Sequence, residues 1–383
     1  MRYKLTALTP LLVGDGQRLA PIDYMVWRDQ VNVLDQNRIF RLLAKGPRLD
    51  NYLTQIKRAE KLDFASWGGF AQNYAGRRIP FEHPSSSGYW DKARAELLHI
   101  PTFSTGLSGP FLPGSALKGA LRTGLVHTRL QASVLKDLAG RMQGDRPLRR
   151  PGETAELITA GNAAGDPMRL VQCGDSSPIP VSAFRVYLLR TATLESKQQG
   201  RFELGWKQPG RGAVPGNRPE DGSLAFAEMA QPGTTFEGEI TERDYLRRPE
   251  IARATRMGEN ASLQAVIKAA NEYSGDLLTL HRRYMAASGL GRVDESLASI
   301  ESKVREFGDS GRGCVLNVGW GAGLLGKAAY LDTSNEDYRK ILRAMPFYER
   351  AVRTGLPFPK TRRVVFLGNQ PATLPGWVVL EVQ

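Results

Sequence analysis

The residues best suited to hold an anion lie together near the middle of the chain. Pro113-Gly114 is a strong turn signal, and Ser115 follows it where a serine can cap a helix. Beyond Ser115, apolar residues recur at helical spacing and basic residues share another face; the apolar set is Leu117, Leu121 and Leu125, and the basic set is Lys118, Arg122 and Arg129. Free N–H groups at a helix N-terminus favour phosphate. The segment therefore predicts a phosphate site, although an ordinary amphipathic helix with solvated lysines would show the same pattern.

Acidic residues are missing around this helix. No Asp or Glu occurs between Leu97 and Lys136, so nothing nearby in the sequence neutralises Lys118 and Arg122. Because like charges one turn apart repel, a bound anion would stabilise this face. We therefore expect Gly114, Ser115 and the basic side chains to contact phosphates.

A second candidate segment, near the C-terminus, is rich in glycine. Its spacing resembles a dinucleotide fingerprint and a P-loop, but Ala328 stands where a P-loop needs Ser or Thr, and too little chain follows for a nucleotide-binding sheet. Glycines still allow close approach to a phosphodiester, with a lysine beside them and a tryptophan for base stacking. The residues concerned are Gly319, Trp320, Gly321, Gly323, Gly326 and Lys327. A tightly turned surface loop remains the alternative.

A third basic cluster contains Lys360, Arg362 and Arg363, in a stretch without acids from Ala351 to Leu380. We interpret it as supporting RNA contacts, although a solvated edge strand would also carry such residues.

Catalytic and metal-binding patterns are weak. The four histidines show neither metal-ligand spacing nor a triad arrangement, and Cys173 and Cys314 have no CxxC partner. We predict no metal, no cofactor and no catalytic residue. A metal-independent ribonuclease needs only a base, an acid and a cation, so His99 or His127 near the basic helix remain candidates for that alternative.

The amino-acid composition and the net charge limit the classes of protein to which this chain can belong. The 383 residues carry a formal net charge of +13, with 41% apolar and 24% charged residues, as expected for a folded protein with an anionic partner. No apolar run approaches the ~20 residues of a membrane span, and the N-terminus lacks a signal-peptide core, so we expect a cytoplasmic location. Nucleic acid is the favoured partner; an anionic membrane surface is the competitor.

Strand and helix patterns mix without a regular βαβ rhythm, which predicts an α+β architecture. We predict an N-terminal domain at 1–197, a basic Gly/Pro-rich linker or loop at 198–222 and a C-terminal domain at 223–383. A further basic loop is expected at 140–152. Hairpin strands are expected at Leu224–Ala230 and Thr234–Ile240.

Three segments together resemble the RAMP proteins of type III CRISPR systems. They are Leu8-Thr9-Pro10-Leu11-Leu12-Val13-Gly14-Asp15-Gly16, Phe111-Leu112-Pro113-Gly114-Ser115-Ala116-Leu117-Lys118-Gly119-Ala120-Leu121-Arg122 and Val318-Gly319-Trp320-Gly321-Ala322-Gly323. Within that superfamily the chain most resembles the fifth subunit of the Csm complex of type III-A systems.

The resemblance implies a ferredoxin-like or RRM-like core, repeated in two domains, and a subunit that binds CRISPR RNA without cutting it. In the family this subunit caps the backbone filament at the 3′ end of the guide and assists guide maturation. The implied partners are CRISPR RNA, neighbouring backbone and small Csm subunits, target RNA indirectly, and host nucleases that trim the guide. A related RAMP family of endoribonucleases supplies the enzymatic alternative.

Overall fold

The computed structural model describes residues 1–44, 46, 48–58, 61–62, 73–144, 146–161, 164–197, 201–210, 212–255, 262–353 and 357–383. Its longer strands are β1 (Arg2–Ala7), β3 (Tyr24–Trp27), β4 (Gln30–Leu34), β5 (Ala75–Pro80), β9 (Val171–Cys173), β10 (Phe184–Ser196), β11 (Phe202–Trp206), β12 (Leu224–Ala230), β13 (Thr235–Glu242), β14 (Gly313–Asn317), β15 (Thr361–Leu367), β16 (Gln370–Thr373) and β17 (Trp377–Val382). Two-residue strands are β2 (Arg18–Leu19), β6 (Ile100–Pro101), β7 (Thr105–Gly106) and β8 (Gly109–Pro110).

The helices in the described part of the chain lie between Gln36 and Arg353. They are α1 (Gln36–Leu43), α2 (Leu49–Arg58), α3 (Ser85–Lys92), α4 (Gly114–Arg129), α5 (Ala132–Gln143), α6 (Pro151–Ala160), α7 (Pro249–Thr255), α8 (Leu263–Ser288), α9 (Gly291–Phe307), α10 (Glu336–Arg343) and α11 (Pro346–Arg353). None of those helices is both long and apolar enough to cross a membrane.

Two five-stranded antiparallel sheets form the centre of the molecule. The first has the order β14-β17-β1-β13-β9, and the second has β11-β10-β15-β16 with β12 also paired to β10. In β1, Tyr3, Leu5 and Ala7 alternate with more exposed residues and are buried. They join a core that also takes apolar residues from α4 and α8, because one face of an amphipathic strand must be covered by apolar surface.

Helix α4 is held closely against α8. A Cβ atom on Gly124 would lie 2.5 Å from the Ala270 Cα atom, so only glycine allows the observed approach. On the opposite part of the same helix, a Cβ atom on Gly119 would meet nothing within 4 Å. The helix thus has one tightly packed side and one open side.

The stretch 198–222, predicted as a basic linker or loop, contributes a strand to the second sheet. It contains β11, whose residues Phe202–Trp206 pair with the second half of β10, although 198–200 and 211 lie outside the described residues. Both sheets take strands from each side of this stretch. The domain limits of 1–197 and 223–383 remain a prediction, but the two sheets are not divided there.

Two other expectations need correction. Strands β12 and β13 form where expected but do not pair with each other; β12 pairs with β10, and β13 pairs with β1 and β9. The turn between them passes the chain from one sheet to the other. The predicted loop at 140–152 is helical at its ends, where α5 runs to Gln143 and α6 begins at Pro151; residue 145 is not described.

Candidate nucleic-acid interface

One open cleft of about 770 Å³, here called the front cleft, is lined by all three segments that the sequence singles out. The first glycine segment contributes Leu12, Val13, Gly14 and Gly16; helix α4 contributes Ser115, Ala116, Gly119, Ala120 and Thr123; the late glycine-rich segment contributes Val318, Gly319, Trp320, Ala322, Gly326 and Lys327. These segments are about one hundred and two hundred residues apart in sequence. Only the folded chain brings them together.

Backbone hydrogen bonds hold the two glycine segments against each other. The Trp320 N–H donates to the Leu12 carbonyl oxygen at 2.8 Å. Gly319 has φ +88°, and a Cβ atom there would lie 2.2 Å from the same Leu12 oxygen. Both the positive φ and the close approach require glycine at this position. The contact fixes the wall of the front cleft opposite α4.

Basic residues line the front cleft. The described residues that line it include Arg18, His99 and Lys327 and no Asp or Glu. Arg18 and Lys327 are exposed, so both are accessible to a ligand. The α4 side is made of small residues, which would let a nucleic-acid backbone approach the helix closely.

Sequence reasoning missed Arg18 as a binding residue. It belongs to β2, which pairs with β6 and places Arg18 opposite Pro101. His99 directly precedes β6, so this short pairing brings both side chains to the cleft. A two-residue pairing between segments about eighty residues apart leaves no periodic pattern in the sequence. The signal that could have indicated Arg18 is its position two residues after Gly16.

The start of α4 differs from the prediction. The helix begins at Gly114 after Pro113, and Ser115 makes no capping hydrogen bond. Instead Asp175 accepts a hydrogen bond from the Gly114 N–H through Oδ1 at 2.8 Å. Gly114 is buried against the Cys173 and Gly174 carbonyls. A carboxylate from a distant loop therefore partly occupies the N-terminus of α4, which we expected to be free. Of Gly114 and Ser115, only Ser115 lines the front cleft.

The basic face of α4 points elsewhere. Lys118, Arg122 and Arg129 are half-buried and do not line the front cleft. Arg122 donates through Nε to Asp166 Oδ2 at 2.9 Å and also pairs with Glu156. The sequence lacks acids near Arg122, but the fold supplies two from α6 and the loop after it. The proposed phosphate role of Arg122 is thus replaced by a structural ion pair.

The third basic cluster is divided by the fold. Arg362 is only 6% exposed and donates through Nε to His281 Nδ1 at 2.9 Å, so its side chain lies in the interior and does not line the front cleft. Arg363 stacks on Trp320, with its Cζ atom 3.6 Å from the ring centroid. Lys360 lies before β15 and does not line the front cleft. Gly321 and Gly323 line a smaller cavity on the other side of their segment.

The two histidines of the enzymatic alternative are separated. His99 lines the front cleft. His127 lies outside it, with Nε2 3.0 Å from Asp276 Oδ2 and Nδ1 2.6 Å from the Ala329 carbonyl oxygen. His127 therefore ties α4 to α8 and to the end of the glycine-rich segment. Among the described residues, no group of three or more His, Cys, Asp or Glu side chains could hold a metal ion.

Residues 4–323 match the RAMP superfamily, and the chain belongs to that family. Its predicted α+β fold with a ferredoxin-like RAMP core is confirmed.

Solved structures show the same fold. A chain of the cryo-EM structure of a Csm–crRNA–target RNA ternary complex in a type III-A CRISPR-Cas system is similar over 100% of both chains, with a TM-score of 0.68 and 21% identity. The crystal structure of T. onnurineus Csm5 is similar over 98% of this chain and 99% of that chain, with a TM-score of 0.58 and 19% identity. A comparison with curated protein sequences finds no match.

Proposed function

We propose that this chain is a non-catalytic subunit of a type III-A (Csm) effector complex and binds CRISPR RNA through the front cleft. The observation that carries the proposal is the convergence of the three family segments on one cleft that has basic side chains and no acid. Membership of the RAMP superfamily and the fold shared with Csm proteins support the same assignment.

The lining of the front cleft suits recognition of the RNA backbone. Lys327 and Arg18 supply positive charge, while the small side chains of Ser115, Ala116 and Ala120 let the ligand lie close to α4. Trp320 offers an aromatic surface, although Arg363 already stacks on its ring. Guides share one protein scaffold and differ in spacer, so contacts to phosphate, 2′-OH and base faces with little sequence preference fit this role.

In the complex, the subunit caps the backbone filament at the 3′ end of the guide and assists guide maturation in the cytoplasm. Its partners are CRISPR RNA, the neighbouring backbone and small subunits, target RNA indirectly, and host nucleases that trim the guide. The first similar structure is of a complex with crRNA and target RNA, and the second is of a Csm5. Both support a place in such an assembly.

A metal-independent endoribonuclease is the second candidate, and His99 in the front cleft is the observation that favours it. General acid–base cleavage of RNA needs a base and an acid at the scissile phosphate. The titratable residues among those that line the front cleft are His99, Lys327 and Arg18. This set offers a cationic environment but no second histidine or carboxylate, which favours binding over cleavage.

A gel assay with end-labelled repeat-spacer RNA in EDTA tests both candidates. We expect a shift with intact RNA whose log K falls with log salt at a slope of roughly −3 to −4, as for about four to six neutralised phosphates. Defined cleavage that is lost in the variant His99→Ala would replace the binding proposal by the nuclease. Absence of any shift at low salt would reject both.

A further inference from the structure

A second cavity, here called the rear cavity, lies on the other side of the glycine-rich segment and has a volume of about 190 Å³. Gly321 to Leu325 line it on one side, and Thr361, Arg362 and Arg363 of β15 line it on the other. Asn317 and Ala322 line both the rear cavity and the front cleft. The glycine-rich segment is therefore a partition between two spaces, and only the front one is used in the proposed function.

Two cations face the rear cavity without a counter-charge. None of its lining residues is Asp or Glu, and neither Arg362 nor Arg363 pairs with a carboxylate in the described part of the chain. Burial lowers the pKa of Arg362 to about 10, and burial lowers that of Arg363 as well. Arg362 is almost entirely out of water and Arg363 is partly so, and such charges are costly without an anion, since a buried charge requires a partner.

Neutral groups fix Arg362 in place. Its Nε donates to His281 Nδ1 at 2.9 Å, and its Nη1 donates to the Pro359 and Thr361 carbonyl oxygens at 2.6 and 2.9 Å. No described residue accepts a hydrogen bond from Nη2. His281 must accept through an unprotonated Nδ1, so the positive charge stays on the arginine. The guanidinium is thus oriented before any ligand arrives.

Other donors at the rear cavity also lack partners. Arg363 uses Nη1 for the Trp320 carbonyl oxygen at 3.1 Å, and no described residue accepts from its Nε or Nη2. The fully buried indole N–H of Trp377 has no hydrogen-bond partner among the described residues, and this side chain lines the rear cavity. Buried donors are rarely left unpaired in native structures, so the indole N–H of Trp377 indicates a missing acceptor.

We propose that the rear cavity binds one phosphate group, held by Arg362 and Arg363 with the Trp377 indole N–H as a further donor. Its volume corresponds to about six water molecules at ~30 Å³ each, which suits a phosphate with some water but not a larger ligand. The same chemistry is available from a phosphate of bound RNA and from free phosphate. The inference rests on the charges of the rear cavity and does not require RNA in the front cleft.

Calorimetric titration of the full chain with inorganic phosphate, against chloride at equal ionic strength, tests this site. We expect millimolar or tighter binding in the wild type, loss of at least tenfold in affinity in Arg363→Gln, and partial retention in Arg363→Lys. Lys360→Gln removes a positive charge that lines neither the rear cavity nor the front cleft and should leave phosphate binding unchanged. Circular dichroism establishes that each variant is folded.

Competition separates the two sources of phosphate. If an RNA phosphate occupies the site, inorganic phosphate will weaken RNA binding in the wild type more than in Arg363→Gln; if free phosphate is the ligand, RNA affinity will not respond to it. Both results support the phosphate site. Absence of phosphate binding, or an equal loss in Lys360→Gln and Arg363→Gln, would overturn it, whereas failure of RNA binding alone would affect only the proposed function.

Discussion

At the scale of single residues, the fold decides which cations are available to a ligand. Arg122 and Lys327 look equally suitable in the sequence, since neither has an acid within four residues. In the structure Arg122 pairs with Glu156 and Asp166, while Lys327 is exposed at the front cleft. The acids lie 34 and 44 residues away from Arg122 along the chain, a distance that local sequence patterns do not report.

This difference predicts opposite effects for two matched substitutions. Lys327→Ala should weaken RNA binding about threefold to tenfold and leave the melting temperature unchanged, because one exposed phosphate contact is lost. Arg122→Ala should lower the free energy of unfolding by about 1 kcal/mol, the upper range for partly exposed ion pairs, and change RNA affinity less than twofold. Fluorescence anisotropy and urea unfolding measure the two effects. A larger loss of affinity in Arg122→Ala would restore the basic face of α4 as the binding surface.

His281 gives the fold a defined pH dependence. Burial, and then the charge of Arg362, lower its pKa well below 6.5, so folding favours the neutral ring. Stability from this group is present above about pH 6.5 and is lost as the pH falls towards the folded pKa, by up to ~1.4 kcal/mol per pH unit.

The variant His281→Asn keeps an acceptor for Arg362 and removes the titration. Between pH 7.5 and 5.5 we expect the wild type to lose about 1 kcal/mol more free energy of unfolding than the variant, as measured by urea denaturation. Equal losses in the two proteins would show that His281 does not titrate differently on unfolding.

At the scale of elements, local patterns predicted which segments form strands and helices better than which segments pair. Tyr24–Trp27 and Gln30–Leu34 form a hairpin through Arg28 and Asp29, which both have positive φ. A turn signal also separates strands β12 and β13, yet these two strands enter different sheets. The choice depends on partners such as β1 and β10, which lie at least thirty residues away, so the turn alone could not reveal it.

Helix α4 offers an internal comparison of packed and open positions. Gly124→Ala should destabilise the protein by about 1–3 kcal/mol, because the new Cβ atom would meet the backbone of Ala270. Gly119→Ala, in the same helix, should stabilise it by about 0.5–1 kcal/mol through better helix propensity, since its Cβ atom meets nothing. Thermal and urea unfolding report both. Similar stability in the two variants would contradict the close α4–α8 contact.

At the scale of the whole molecule, the sequence contained the parts of the site but not their arrangement. Each of the three segments was recognisable from its residues, and each does reach the front cleft. Two features depend on pairings between distant strands. One is the contribution of Arg18 to the front cleft, and the other is the position of the 360–363 cluster at the protein interior and the rear cavity. Such pairings are set by burial of complementary apolar faces over the whole chain, which no short window contains.

The central claim is that RNA lies in the front cleft, against the open side of α4. Gly119→Glu would place a negative side chain there without a steric conflict at its Cβ atom, and Gly119→Ala is the matched control. We predict that anisotropy with repeat-spacer RNA at fixed salt will show at least about tenfold weaker binding, equivalent to ~1.4 kcal/mol, for Gly119→Glu and wild-type affinity for Gly119→Ala. Unchanged affinity in a folded Gly119→Glu protein would contradict the account.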